Sequence, residues 1–132
     1  MPQNPLPPDH PQAWLRRAQS NLIRARHRIA GVYLEDLCFD AQQAAEKSVK
    51  AVLIRLNVNF PYTHDLANLL TLVEEGVPVP PPVQEAAILS DYAVETRYPG
   101  LAEPVTEEEY EEAVAIAERV VEWAEAVVEA GA

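Results

Sequence analysis

The chain has 132 residues, of which 48% are hydrophobic and 23% charged, a balance typical of one globular domain with a sizeable core. Its formal net charge is −11, with the positive charges concentrated in the first 60 residues, which disfavours nonspecific binding to nucleic acid but allows a local basic pocket. Because there is one cysteine, no zinc-like Cys/His spacing and no stretch of ~20 apolar residues, we expect a cytoplasmic protein without a disulfide, a metal site or a membrane span.

Prolines mark the first boundary in the sequence. Five prolines fall within the first eleven residues, which predicts a mobile proline-rich leader over residues 1–10 and a single helical domain over residues 11–130. The first helix is expected over about residues 11–30, capped by Asp9 or His10, with an apolar stripe that ends at Ile29. Its other side carries a basic face, typical of a solvated surface, made by Arg17, Asn21, Arg24 and Arg28.

Two helices are predicted in the middle of the chain. The segment of about residues 34–57 carries apolar side chains around roughly half of its circumference, as expected of a central helix that touches two neighbours. A short third helix is expected after Pro61. Thr63 caps it in this prediction, and Asp65 lies in its first turn, where the helix dipole favours negative charge.

Two more helices are predicted beyond the proline-rich connector. One starts near Pro82 and reaches about Arg97. The last begins at a capping box formed by Thr106 and Glu109 and carries an apolar seam that repeats every seven residues. Since no segment alternates between hairpin turns, the expected fold is all-α: an up-and-down antiparallel bundle of four main helices plus one short helix.

The polar residues with the most distinctive spacing lie on the second helix. Four of them share one helical face: Gln43, Glu46, Lys47 and Lys50. Glu46 and Lys50 are four residues apart, which is typical of a surface salt bridge worth ~0.3 to 0.5 kcal/mol. His64, at a helix start, titrates near neutrality. Arg97 and Tyr98 precede a proline at a helix end, where a structural role is usual.

Spacing also disfavours several enzyme classes. The sequence has no Glu-x-x-His for a di-iron bundle, no glycine-rich phosphate loop and no Gly-x-Ser-x-Gly. No catalytic residue, metal ligand or cofactor is therefore predicted. Cys38 falls on the apolar side of its helix and is expected to be inert packing.

Together these features resemble the HEPN family, small helical domains described as higher-eukaryote and prokaryote nucleotide-binding domains. The resemblance runs from about Trp14 to Val128 and rests on AQQAAEKSVK at residues 41–50, THDL at residues 63–66, RYP at residues 97–99 and a long alanine-rich last helix. It implies the small stand-alone prokaryotic type, often a homodimer, paired with a minimal nucleotidyltransferase encoded as a separate chain. It also implies a set of candidate ligand-binding residues: Gln43, Glu46, Lys47, Lys50, His64, Asp65, Arg97 and Tyr98.

Many HEPN proteins are metal-independent ribonucleases in which a histidine follows an arginine after four to six residues. The positions at that distance from Arg97 are Ala102, Glu103 and Pro104, and no other arginine of the chain has a histidine at that spacing. This departure disfavours a ribonuclease, because the residue that moves protons in RNA cleavage is missing.

The sequence therefore favours a noncatalytic HEPN module that dimerises and helps a nucleotidyltransferase hold a nucleotide or polynucleotide, in a two-gene, toxin-antitoxin-like system. Lys47, Lys50 and Arg97 are expected to contact phosphate, and Tyr98 to stack or donate a hydrogen bond. Two alternatives stay open: a ribonuclease toxin that uses His64, and a purely structural or neutralising dimer. The site prediction requires these polar groups to meet at a common hollow, and the wide apolar arcs of the second and last helices favour a dimer.

Overall fold

The computed structural model describes residues 9–93 and 104–130. Within those ranges the chain forms helices and no strand, which confirms the all-α prediction. Most of the predicted leader and the predicted end of the fourth helix lie outside the described residues. None of the helices in these ranges combines the length and the apolarity needed to cross a bilayer.

Helix α1 spans Pro11–Arg26. The side chain of His10 caps it, as predicted, by accepting a hydrogen bond of 3.1 Å from the backbone N–H two residues later. The predicted extension to about residue 30 is wrong, because the chain becomes extended at His27 and then turns at Gly31, which has a φ of 90°. Ile29, predicted to end the buried stripe, is therefore 57% exposed.

Helix α2 spans Leu34–Arg55 and helix α3 spans Leu66–Glu74. The prediction that Thr63 caps α3 is wrong by two residues. Asp65 is the N-cap, and its carboxylate accepts hydrogen bonds from two backbone N–H groups of the first turn. Thr63 instead accepts a hydrogen bond of 3.0 Å from the backbone N–H of Asp65, so it shapes the turn that leads into the helix.

The fourth predicted helix differs most from expectation. Helix α4 covers only Pro81–Gln84, and the chain continues as a 3-10 helix over Glu85–Ala93, so the prediction of an α-helix from Pro82 to about Arg97 is wrong for the described part. The buried side chains of this segment recur every three residues: Val83, Ala86 and Leu89. Because a 3-10 helix has three residues per turn, that spacing aligns them on one side, against the core.

Helix α5 spans Glu107–Ala130 and begins with the predicted capping box. The backbone N–H of Thr106 donates to Glu109 Oε1 at 3.0 Å, and the backbone N–H of Glu109 donates to Thr106 Oγ1 at 3.1 Å. Most of the predicted seam is buried: Tyr110, Ala113, Ala117, Val120, Val121, Ala124 and Val128.

Helix α2 lies at the centre of the bundle, where α1, α3, α5 and the 3-10 helix all contact it. Its apolar side chains are therefore buried inside the domain, which explains the wide apolar arc without a second chain. Cys38 belongs to this core. Burial raises the pKa of its thiol to about 12, as expected for a cysteine that only packs.

The change from basic to acidic along the sequence becomes ion pairing between α5 and the end of α1. Arg26 lies 2.7 Å from Glu118, and Arg28 makes two hydrogen bonds of 2.7 Å to Glu107. The predicted solvated basic face is thus partly wrong, since Arg28 lies beyond α1 and Asn21 is buried.

Candidate functional site

A buried hydrogen-bonded cluster joins α2 to the turn before α3. The carboxylate of Glu46 accepts from Lys50 Nζ at 2.9 Å and from Gln42 Nε2 at 2.8 Å, and it lies 2.7 Å from His64 Nδ1. The side chains of Glu46 and Lys50 are only 4% and 6% exposed. The predicted pairing of these two residues is confirmed, but its interpretation as a surface salt bridge is wrong.

Three aromatic rings surround the ammonium group of Lys50. Its Nζ atom lies 5.7 Å from the ring centre of Trp14, 5.9 Å from that of Phe60 and 5.7 Å from that of Tyr62. These rings come from α1 and from the segment between α2 and α3. Their electron-rich faces, together with Glu46, replace the water that an exposed lysine would keep.

Glu46 is the electrostatic centre of this cluster. Burial alone raises the pKa of its carboxyl, but the hydrogen bonds from Lys50, Gln42 and His64 outweigh burial and hold the pKa below its usual value. Glu46 is therefore ionised near neutral pH. His64 is 44% exposed, so the cluster reaches the surface through its imidazole.

A second polar cluster lies between α1 and α2. Lys47 Nζ donates to Asn21 Oδ1 at 2.8 Å, Asn21 Nδ2 donates to Asp40 Oδ1 at 3.0 Å, and Arg24 lies 3.5 Å from the other oxygen of Asp40. Partial burial, followed by the neighbouring charge of Arg17, lowers the pKa of Lys47. Positive charge is thus in local excess on this face of an acidic protein.

The structure divides the predicted site residues between these two clusters. Gln43 donates to Gln42 Oε1 at 2.7 Å and so joins the cluster around Glu46, whereas Lys47 belongs to the cluster with Asn21. Asp65 is committed to capping α3. Arg97 and Tyr98 lie outside the described residues.

The expected common hollow is not formed by the described members of the set. Glu46, Lys50 and His64 meet in a filled cluster rather than around a void. Two hollows of about 550 and 540 Å³ lie elsewhere in the described part of the chain, and none of the eight predicted residues lines either of them.

Several residues of the two clusters were not predicted. Gln42 precedes Glu46 by four residues, a helical spacing that would have found it. Asn21 and Asp40 were visible only as polar residues on helices. The aromatic residues around Lys50 come from separate segments, and no local pattern announces their meeting: Trp14, Phe60 and Tyr62.

The chemistry available in the described residues is that of charge and proton transfer. Those residues contain no group of three or more His, Cys, Asp or Glu side chains arranged to hold a metal ion. The imidazole of His64 is oriented by a buried carboxylate, an arrangement suited to a general base. The cationic face around Lys47 is suited to binding an anion.

Fold and site together define a small helical bundle domain whose central helix carries a buried glutamate and lysine pair linked to the histidine that precedes the next helix. A family model described as "HEPN domain" matches residues 11–127, so the chain belongs to the HEPN domain family.

Two solved structures resemble the whole domain. Similarity to ST0689, described as an archaeal HEPN homologue, has a TM-score of 0.74 and 27% identity and covers 90% of this chain and 98% of that chain. Similarity to TT1696 from Thermus thermophilus has a TM-score of 0.77 and 33% identity, over 89% of this chain and 97% of that one. No curated protein matches significantly.

Proposed function

We propose that this HEPN module is noncatalytic and holds the phosphate groups of a nucleotide or polynucleotide for a separate minimal nucleotidyltransferase chain, in a two-gene, toxin-antitoxin-like system. The observation that carries the proposal is the cationic cluster between α1 and α2. Arg17, Arg24 and Lys47 provide three positive charges there, in a chain with a net charge of −11, and the carboxylate bonded within the cluster is that of Asp40.

The geometry of this cluster favours phosphate over other anions. Lys47 is held in place through Asn21, which is itself anchored on the buried carboxylate of Asp40. Arg17 and Arg24 are exposed and offer planar donor groups that match phosphate oxygens. An incoming phosphate also relieves the repulsion between Arg17 and Lys47, the repulsion that helps to lower the pKa of Lys47.

The role first expected for Lys50 changes under this proposal. Its ammonium is buried and bonded to Glu46, so it shapes the site rather than contacting phosphate. Arg97 and Tyr98 remain candidate ligands through the family resemblance.

Titration calorimetry with ATP, GTP and a short RNA, with and without the nucleotidyltransferase encoded next to this chain, tests the proposal at one fixed salt concentration. We expect Lys47→Ala and Arg17→Ala each to weaken binding by about tenfold, as for the loss of a charge-assisted hydrogen bond. Arg119→Ala is the control, since Arg119 pairs with Glu85 on another face. Absence of binding in every combination, or normal binding by Lys47→Ala, refutes the site.

A second candidate function is the ribonuclease that uses His64. The observation that favours it is the bond between His64 Nδ1 and Glu46, because a carboxylate on one imidazole nitrogen orients the other for proton transfer. RNA cleavage by the purified chain that disappears in His64→Ala would replace the first proposal. Cleavage that persists in His64→Ala assigns the activity to a contaminant or another site.

We also propose a homodimer, formed at the corner between α1 and α2. Apolar side chains are exposed there, with Ile23 61% exposed, beside the hollow of about 550 Å³. The lining of this hollow carries both charge signs, including Arg24 and Asp36, so two copies related by a two-fold axis can pair opposite charges.

Sedimentation velocity tests the dimer with a matched pair of variants. Ile23→Glu is expected to give a monomer, whereas Ile88→Glu, at an exposed isoleucine on the 3-10 helix, is expected to leave the dimer intact. A wild-type chain that is monomeric at all concentrations refutes the dimer. A stable dimer without any nucleotide binding favours the purely structural or neutralising alternative.

A further inference from the structure

The second hollow, of about 540 Å³, lies where α2 ends. Its walls come from the end of α2, the proline-rich connector and the last turns of α5: Arg55, Leu56, Val77, Pro78, Pro80, Trp123, Val127 and Ala130. The volume falls in the range of small-molecule sites, ~300 to 1,000 Å³. All of these lining residues are apolar except Arg55.

Arg55 is the unusual member of this lining. Arg26, Arg28 and Arg119 each pair with a glutamate, but Arg55 has no hydrogen bond or ion pair to any residue in the described ranges. It is half-buried, and no acidic residue lines the hollow, although the chain contains 21 Asp and Glu residues. The carbonyl end of α2 supplies only a partial negative charge.

We propose that this hollow binds a small amphipathic carboxylate, such as a medium-chain fatty acid. The guanidinium of Arg55 holds the carboxylate through two parallel hydrogen bonds, the geometry in which arginine binds carboxylates best. The hydrocarbon chain lies against Leu56, Trp123 and Val127. A nucleotide is a poor fit, because several phosphate charges would face one cation and apolar walls.

The position of Trp123 provides a direct assay. The chain has two tryptophans, so Trp14→Phe leaves Trp123 as the single reporter in the full-length protein. Titration with decanoate is expected to change the Trp123 emission to saturation, and 1-decanol, which lacks the charge, is expected to bind about tenfold more weakly. No saturable change with decanoate, or equal binding of decanol, overturns the proposal.

Variants of Arg55 separate the charge from the apolar walls. In the Trp14→Phe background, Arg55→Met is expected to weaken decanoate binding about tenfold and to leave decanol binding unchanged, while Arg17→Met on α1 changes neither. Unchanged decanoate binding by Arg55→Met contradicts the assignment. If Trp14→Phe does not fold by circular dichroism, the indole N–H resonance of Trp123 in the wild-type spectrum gives the same readout. That resonance must then shift with decanoate and stay still in Arg55→Met.

Discussion

Replacing Glu46 by glutamine is expected to destabilise the fold far more than the loss of a surface charge. Glu46→Gln keeps the shape of the side chain and one acceptor for Gln42, but it leaves the ammonium of Lys50 buried without a counter-charge. Removing one partner of a buried ion pair costs ~3 to 5 kcal/mol, whereas an exposed pair is worth ~0 to 1 kcal/mol. Since both side chains are less than a tenth exposed, the buried value applies.

The aromatic rings place the expected cost at the lower end of that range. The three rings around Lys50 stay in place in Glu46→Gln, and each contributes ~0.5 to 2 kcal/mol to a desolvated cation. We therefore expect a loss of about 3 kcal/mol in the free energy of unfolding. With an m-value of about 1.5 kcal/mol per M, the urea midpoint falls by about 2 M.

Urea unfolding followed by circular dichroism measures this loss, with Glu122→Gln as an exposed control on α5 that stays within about 0.5 kcal/mol of the wild type. Combining Glu46→Gln with Lys50→Met removes the unpaired charge while keeping an acceptor for Gln42. The combined variant is expected to recover most of the lost stability. A cost of less than about 1 kcal/mol for Glu46→Gln, or no recovery in the combined variant, refutes the reasoning.

Three further perturbations test other contacts. The folded pKa of Glu46 lies below its unfolded value, so its stabilisation is present above about pH 4.3 and is lost as the pH falls through the folded pKa; Glu46→Gln should therefore lose less stability than the wild type between about pH 5 and pH 3, and parallel curves from urea midpoints contradict this. Tyr110→Phe removes a buried hydrogen bond of 2.6 Å to the carbonyl of Ala25, for an expected loss of ~1 to 2 kcal/mol in urea unfolding; an unchanged midpoint shows that this bond adds nothing. The hydroxyl of Ser48 is buried without a partner in the described residues, so Ser48→Ala is expected to stabilise the fold by ~1 kcal/mol in thermal unfolding, and a lower melting temperature shows that the hydroxyl has a partner.

The parts of the fold that local sequence determines were predictable. The apolar period of α2, the capping box of α5 and the His10 cap of α1 all follow from residues within one or two helical turns. The end of α1 was not predictable, since Arg28 leaves the helix to reach Glu107, 79 residues later. The 3-10 helix was missed because a three-residue apolar spacing also fits an α-helical stripe.

The candidate site shows the same division between local and distant contacts. Helical spacing predicted that Glu46 and Lys50 would pair, but not that they would be buried. Burial depends on rings that lie far away in the sequence from Lys50, such as Trp14, and on the turn that brings His64 onto Glu46. Thr63 and Asp65 are both good capping residues, so composition alone did not decide between them.

Glu46 serves both a buried lysine and an exposed histidine, and this shared position allows structure and chemistry to be separated. Lys50→Met leaves the contact between Glu46 and His64 in place, so it alters stability without removing the imidazole. His64→Ala removes a half-exposed ring and leaves the buried pair of Glu46 and Lys50 intact, so it is expected to cost little stability. If His64→Ala also leaves nucleotide binding and RNA cleavage unchanged, the cluster around Glu46 has a structural role, and function at this end of the molecule belongs to the cationic face of Lys47.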